Sequence, residues 1–208
     1  MIISKRFKYV IFDLDGVLFH SKNNMRKSWQ DVRDAHDIKV SFKKYFEKIG
    51  LPFLKILILL GLRPDIKIFR TFQNSSMKNI NLIKPYPGVV NQFKIFKQNG
   101  IKFSILTSKD LKRSKYLLKK YNILAETIHC PQNKLRGKPY PDQILDCIKK
   151  NNLKKKNVCY VGDTYIDYLT AKRAKIGFIF AKYGYGREKK IYKNKILNIK
   201  DLNKYLIK

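Results

Sequence analysis

Short apolar segments alternate with stretches of helical periodicity along most of this 208-residue chain. That alternation selects a parallel α/β sheet with helices on both faces. Residues 8–12 read as a buried strand ending at Asp13, and residues 101–106 as a second ending at Thr107. Ala125 to His129 gives a short third, Asn157 to Val161 a fourth stopped by Gly162-Asp163, and Ile176 to Ala181 a fifth. Between them, Gly88 to Gln98 carries Val89, Val90, Phe93 and Phe96 and stops near Gly100. Asp110 caps a second helical pattern, and Pro141-Asp142 opens a third with Ile144, Leu145 and Ile148 on one face. The Lys-rich tail from Lys189 reads as a final helix.

Phe19 to Lys84 breaks the alternation. It holds several helical stretches, no convincing strand, and a turn-rich exit at Lys84-Pro85-Tyr86-Pro87-Gly88. The expected organisation is a core of residues 1–19 and 85–208 with a helical cap domain, 20–84, inserted after the first strand. The cap is expected to hinge near His20 and Lys84-Pro85 and to carry the apolar run Leu51–Leu60 in its own core or against the sheet. The loop Ile49-Gly50-Leu51 should then lie near the organic part of a ligand.

Open α/β sheets bind ligands beyond the carboxyl ends of their strands. The residues closing those strands form a set: Asp13-Leu14-Asp15-Gly16, Thr107-Ser108, and Gly162-Asp163-Thr164-Tyr165-Ile166-Asp167, with Lys138 in a loop before a helix. Taken singly, each has a plain structural reading. An aspartate can cap the next helix, and a lysine in this chain is usually solvated. Taken together they place carboxylates, a hydroxyl and an ammonium on one edge. Carboxylates in one place repel unless a cation joins them, and oxygen ligands favour Mg²⁺. An anionic substrate can bridge metal, hydroxyl and lysine, which is the layout of a phosphoryl-transfer site with a carboxylate nucleophile.

These segments also carry a family resemblance. Phe12-Asp13-Leu14-Asp15-Gly16-Val17-Leu18 resembles the first motif of the haloacid dehalogenase superfamily. Ile105-Leu106-Thr107-Ser108-Lys109 resembles the second, Lys138-Pro139 the third, and Gly162 to Asp167 the fourth. Pro85–Gly88, Lys138–Asp142, Ile49–Pro52 and Gly184-Tyr185-Gly186 are similar to the phosphoglycolate phosphatase-like members. The resemblance implies a Rossmann-like core with a helical cap and a Mg²⁺-dependent phosphatase acting on a small phosphorylated metabolite. It implies Asp13 as nucleophile, forming an aspartyl-phosphate, and Asp15 as general acid/base. Thr107 and Ser108 would bind the phosphoryl oxygens, and Lys138 would neutralise charge. Asp13, Asp163 and the backbone carbonyl of Asp15 would hold the metal, with Asp167 supporting Lys138 or the metal shell. The second aspartate favours phosphate over halide, because an alkoxide leaving group gains from a positioned acid. Two positions depart from the relatives' pattern, His20-Ser21 and Ser108. Both flank the substrate entrance and bear on the substrate, and His20 itself reads as structural.

Composition excludes other classes. Lys+Arg 46 against Asp+Glu 15 gives a formal net charge of +31, which first brings nucleic acid to mind. The lysines are scattered, acid is scarce, and no finger, RNA-binding signature or helix-turn-helix is present. A compositional bias toward Lys, Ile, Asn, Tyr and Phe accounts for the excess, so no specific nucleic-acid partner is expected. Cys130, Cys147 and Cys159 leave an odd thiol and no CxxC pair, consistent with a reducing, cytoplasmic setting. The Leu51–Leu60 run is too short for a bilayer span, and Met1–Arg6 shows no signal-peptide pattern. Gly16–Lys22 lacks the second glycine of a P-loop, and Gly184-Tyr185-Gly186 lacks the context of a dinucleotide site. The alternatives on the same scaffold are a sugar-phosphate mutase and a nucleotide or pyrophosphate hydrolase. A receiver domain is disfavoured because the candidate phosphoacceptor closes the first strand. A basic nucleic-acid-binding protein is the non-enzyme alternative, and a monomer or homodimer is expected.

Overall fold

The computed structural model describes residues 7–131 and 135–207, so Met1–Arg6 lies outside the described residues. Strand β1 (Tyr9–Phe12) leads to Asp13 and, through a turn, to β2 (Phe19–His20). Four helices follow: α1 (Lys22–Ala35), α2 (Phe42–Phe46), α3 (Phe53–Leu59) and α4 (Ile66–Lys78). The chain returns through β3 (Lys84–Pro85), which pairs antiparallel with β2. It then alternates: α5 (Val89–Gln98), β4 (Phe103–Leu106), α6 (Leu111–Lys120), β5 (Ile128–His129), α7 (Asp142–Lys150), β6 (Val158–Gly162), α8 (Tyr165–Ala174), β7 (Gly177–Ala181) and β8 (Lys195–Ile196).

The main sheet has six strands in the order β5-β4-β1-β6-β7-β8, all pairs parallel. Strands β1, β4 and β6 are buried throughout, which is why they read as continuous apolar runs. The period of two along β1 divides the core. Val10 and Phe12 face one apolar cluster with Phe93 and Phe96 of α5, and Tyr9 and Ile11 face another with Ile144 of α7 and Ala171 of α8. Edge-to-face rings tighten the first cluster: Phe12–Phe93 at 5.2 Å and Phe93–Phe103 at 4.6 Å between centroids. Each fully buried phenylalanine contributes about 1.5–3 kcal/mol. The α/β fold with helices on both faces therefore follows the sequence pattern.

Helices α1–α4 enclose a third cluster of their own, including Met25, Trp29, Tyr45, Phe53 and Phe72. Trp29 stacks on Tyr45 at 4.5 Å and donates Nε1–H to the Val40 carbonyl at 2.9 Å. Asn24 of α1 ties α4 in place, donating to the carbonyls of Ser76 and Asn79 at 2.9 Å each. In the Leu51–Leu60 run, Ile56 and Leu57 enter this cluster while Ile58 and Leu59 are exposed. No helix among the described residues is long and apolar enough to cross a membrane.

The structure corrects some boundaries. The second strand begins at Phe103 rather than residue 101, and the third is only Ile128–His129. The stretch Phe19–Lys84 was expected to hold no strand, yet its two ends pair: Phe19 with Pro85 and His20 with Lys84. The tail is not one continuous helix from Lys189; among its described residues only Ile199–Lys204 is helical, as a 3-10 helix. Tyr192, Ile196, Ile199 and Leu202 are buried at spacings that imitate a continuous helix. Instead Lys195–Ile196 extends the sheet beside β7, and Asn198 starts a new 3-10 turn, Ile199–Lys204, by a reciprocal cap with Asp201.

Candidate active site

Strand β1 lies between β4 and β6, where the connections reverse direction across the sheet. A crevice forms beyond the strand ends at such a point. The Asp13 amide donates to the Val161 carbonyl at 2.9 Å, so sheet pairing fixes where Asp13 leaves β1. Lys138 reaches it from the loop before α7. Its Nζ lies 2.8 Å from Asp13 Oδ1 and 2.7 Å from Asp167 Oδ1, and the residue is 2% exposed. In a chain so rich in solvated lysines, this enclosure sets Lys138 apart from the surface lysines.

Asp167 is committed to that tether. Its Oδ1 meets Lys138 and the Tyr160 hydroxyl, 3.0 Å away. Its Oδ2 accepts from the Thr164 amide and hydroxyl at 2.9 and 2.6 Å. The amide contact, together with the Asp167 amide donating back to Thr164 Oγ1 at 3.3 Å, forms the capping box at the start of α8. The helix cap and the lysine support are thus one residue, and neither carboxylate oxygen is left over. Asp163 is the opposite case. It is fully buried; Oδ2 accepts from the Tyr185 amide at 2.6 Å, and Oδ1 has no hydrogen-bond partner among the described residues. Glycines wall it in. A Cβ at Gly16, where φ is +86°, would sit 2.2 Å from Asp163 Oδ2, and one at Gly184 would sit 2.3 Å from Asp163 Cβ. The Gly184-Tyr185-Gly186 loop serves Asp163 in this way.

Burial dominates the electrostatics. It pushes the Asp13 carboxyl up to about 7 against the opposing pull of Lys138. It raises Asp163 well above the carboxylate range, with Asp167 and Asp13 adding to the effect. Burial alone would lower Lys138; the two carboxylates beside it prevail and hold it protonated, above its ordinary range. Oxygens of Asp13, Asp163 and Asp167 lie within 4.8 Å of one another. Four aspartates, Asp13, Asp15, Asp163 and Asp167, meet two lysines, Lys138 and Lys109. With all four ionised, a divalent cation would cancel the negative charge that the two lysines leave over, and would favour the ionised forms that burial opposes. The orphaned Asp163 Oδ1 and the all-oxygen donor set fit Mg²⁺, with Asp13 and Asp163 as the side chains free to take it.

Comparison with known proteins gives this geometry a family. The profile of haloacid dehalogenase-like hydrolases matches residues 10–181. The chain belongs to that family. It is 21% identical to an N-acetylmuramic acid 6-phosphate phosphatase of Pseudomonas aeruginosa, over 86% of this chain and 84% of the other. It is 26% identical to a phosphoglycolate phosphatase of Pasteurella multocida, over 86% and 88%. Among solved structures, a hydrolase from Pseudomonas syringae superimposes with a TM-score of 0.80 at 23% identity, covering 94% of this chain and 95% of that one.

Within this haloacid dehalogenase-like hydrolase, the other strand-end residues line a cleft shared with α1–α4. Thr107 is buried, and its Oγ1 accepts from the Lys109 amide at 3.2 Å. Ser108 does not face the cleft as freely as expected: its hydroxyl donates to the Gly50 carbonyl at 2.7 Å, tying the sheet edge to the inserted helices. Gly50 has φ +92°, and a Cβ there would approach Thr164 Oγ1 to 2.9 Å. The Ile49–Leu51 loop thus lines the cleft with Asp13, Thr107 and Lys138. The carboxylate of Asp15 pairs with Lys109 through Oδ2 at 3.1 Å, while its Oδ1 is buried without a partner among the described residues. His20 stays exposed on β2, its ring edge-on to Tyr86 and Tyr185.

Sequence reading missed Lys109 and Arg113, both buried and both lining the cleft. Lys109 sits two residues after Thr107, and Arg113 follows Asp110, its ion-pair partner, by one helical turn. Those spacings are the only signals, and they are faint among 46 basic residues.

Proposed function

We propose that this hydrolase is a Mg²⁺-dependent phosphomonoesterase that works through an aspartyl-phosphate on Asp13. The observation that carries the reading is the buried Lys138 held between Asp13 and Asp167, beside an Asp163 oxygen with no other partner. Lys138 favours the ionised form of Asp13 against the effect of burial and holds the carboxylate at the cleft. Asp13 attacks phosphorus as the bond to the leaving oxygen breaks, and Asp15 donates a proton to that oxygen. Asp15 then takes a proton from water. The water oxygen attacks phosphorus, the bond to Asp13 breaks, and inorganic phosphate and Asp13 are released. Thr107 supports the phosphoryl oxygens from the sheet side. Mg²⁺ held by Asp13, Asp163 and the Asp15 carbonyl would supply positive charge to the transferring phosphoryl group.

Residues 20–84 act in this reading as a cap, with the β2–β3 pair as its hinge. The separate apolar cluster of α1–α4 supports a body that moves as a unit, and the contact from Ser108 to Gly50 supports closure over the strand ends. A closed cleft favours small phosphorylated acids or sugars over phosphoproteins and excludes water that would weaken every charge contact. Relatives named for N-acetylmuramic acid 6-phosphate and for phosphoglycolate support that class. The test is a panel of phosphorylated metabolites with added Mg²⁺, run beside Asp13→Asn. The variant should fold as the parent does and lose at least 10³-fold in kcat. Activity within tenfold of the parent would remove Asp13 as nucleophile.

A further inference from the structure

Among the described residues, three lysine or arginine side chains are buried: Lys109, Arg113 and Lys138. All three line the cleft at Asp13. Two of them have an evident charge to answer there: Lys138 bridges Asp13 and Asp167, and Lys109 pairs with Asp15. Arg113 is different. Its Nε pairs with Asp110, the N-cap residue of α6, one turn away and outside the cleft lining. Its Nη1 is buried and has no hydrogen-bond partner among the described residues. The guanidinium lies 5.6 Å from the ring centroid of Phe72 on α4, so it sits where core and cap meet. The cap wall beside it is apolar and aromatic, with Tyr45, Phe53, Phe69 and Phe72.

A structural clamp to Asp110 needs only one edge of the guanidinium. Burying the other edge without an acceptor is costly, because a lost hydrogen bond to a charged donor exceeds one to a neutral donor. Its planar fork suits a carboxylate or a phosphate. No acceptor among the described residues lies within hydrogen-bond distance of Nη1; the Tyr45 hydroxyl, the one acceptor in the wall residues just named, makes no hydrogen bond to it.

We propose that Arg113 is a specificity-determining residue that binds a second anionic group on the substrate, at the end away from the phosphate being transferred. This rests on the phosphomonoesterase reading for the location of the first phosphate, and it narrows the substrate class. The ligand is a phosphomonoester whose far end carries a carboxylate or another phosphate, with its body against the aromatic cap wall. Phe72 lies over the guanidinium and would shield that ion pair from water, which strengthens it. Neutral sugar phosphates lack the partner and leave the buried N–H unmatched.

Binding to the unmodified 208-residue chain tests this without turnover. The probes are ω-phosphonocarboxylates of two, three and four carbons and alkylphosphonates of the same lengths, measured by calorimetry with Mg²⁺ present. At least one carboxylate should bind tenfold or more tightly than its matched alkylphosphonate. The length at which the ratio peaks reads the span from the phosphate position to Arg113. Arg113→Gln should collapse that ratio toward one, and Arg113→Lys should restore part of it. In turnover, Arg113→Gln should raise KM for 3-phosphoglycerate at least tenfold more than for glycerol 3-phosphate. Fructose 1,6-bisphosphate against fructose 6-phosphate distinguishes a distal phosphate from a distal carboxylate. Ratios below threefold at every length in the parent protein would overturn the proposal, whether or not the variants fold. So would equal losses on anionic and neutral substrates in Arg113→Gln. If the phosphonate ratio and its loss appear while no phosphate ester is hydrolysed, the phosphomonoesterase reading fails and the anion subsite stands.

Discussion

Replacing Lys138 by methionine keeps most of the side-chain volume and removes the charge. The structure sets the size of the effect. Lys138 is 2% exposed and contacts carboxylates of Asp13 and Asp167 at 2.8 and 2.7 Å. Removing one partner of a buried ion pair costs about 3–5 kcal/mol, because the remaining charges stay uncompensated. For a chain of this length that corresponds to a fall of roughly 6–20 °C in Tm. The loss should depend on pH in a defined direction. In the folded, metal-free protein Asp13 titrates at about 7, raised from an ordinary 3.8 chiefly by burial. Between those two values the folded state holds a proton that the unfolded chain has released. Stability therefore falls as pH rises through that window. Lys138 opposes the rise at Asp13, so Lys138→Met moves its titration higher still. The variant then regains more on acidification from pH 8 to pH 5 than the parent does, by up to about 1.4 kcal/mol for each unit of extra shift.

Urea denaturation of parent and variant in chelator, at pH 8 and pH 5, measures this. The expected difference is about 3–5 kcal/mol at pH 8 and roughly 1 kcal/mol less at pH 5. With Mg²⁺ and substrate, kcat should fall about 10²–10³-fold, as when other fixed charge stabilisers are removed. A destabilisation below about 1 kcal/mol at pH 8, small against the effect of breaking a buried pair, would refute the tether. So would a difference that grows toward pH 5.

Asp15→Asn should lower kcat/KM about 10²–10⁴-fold on alkyl phosphates, with a smaller loss on p-nitrophenyl phosphate, whose leaving group needs less protonation; equal losses on both would leave Asp15 with no role as an acid. Gly16→Ala places a Cβ 2.2 Å from Asp163 Oδ2 at φ +86°, so Asp163 must move; Mg²⁺ affinity by calorimetry should drop at least tenfold, and an unchanged affinity would dissociate Asp163 from the metal.

Much of the sheet was legible because its strands are buried on both faces. Tyr9–Phe12 and Val158–Gly162 are apolar without interruption, and each is closed by an aspartate or Gly-Asp. The polar residues that close them stand out for that reason, and so do the four motif segments. Elements governed by edge pairing were less legible. The pair Phe19–His20 with Lys84–Pro85 joins segments more than sixty residues apart, and no local pattern encodes such a partner. The tail failed for a related reason: Tyr192, Ile196, Ile199 and Leu202 have helical spacing, but the open edge of β7 captures Lys195–Ile196. Asn198 was the local clue, since asparagine followed three residues later by aspartate marks a new capped turn.

The basic residues show why burial, rather than composition, separates function from background. A net charge of +31 carries no address: scattered lysines on a solvated surface attract any anion weakly and are screened by salt. Inside a low-dielectric cleft the same charge is costly unless something answers it. Lys109, Arg113 and Lys138 are the buried lysines and arginine among the described residues, and they converge on one cleft. A bias toward lysine in the sequence would not by itself gather three cations at one strand edge, nor set two of them against aspartates that close the strands. Lys138 was legible because a proline follows it in a motif; Lys109 closes the second motif segment but was given no role there, and nothing beyond Asp110 one turn earlier distinguishes Arg113 from the remaining basic residues. What does distinguish them is the cap. By covering α6 and the strand ends with Phe72 and the Ile49–Leu51 loop, the inserted helices turn ordinary surface positions into enclosed ones. The chemistry of the strand ends is thus encoded locally, in residues that terminate strands. If Arg113 selects the substrate as proposed, selectivity is encoded at a distance, by which basic residues the insertion buries.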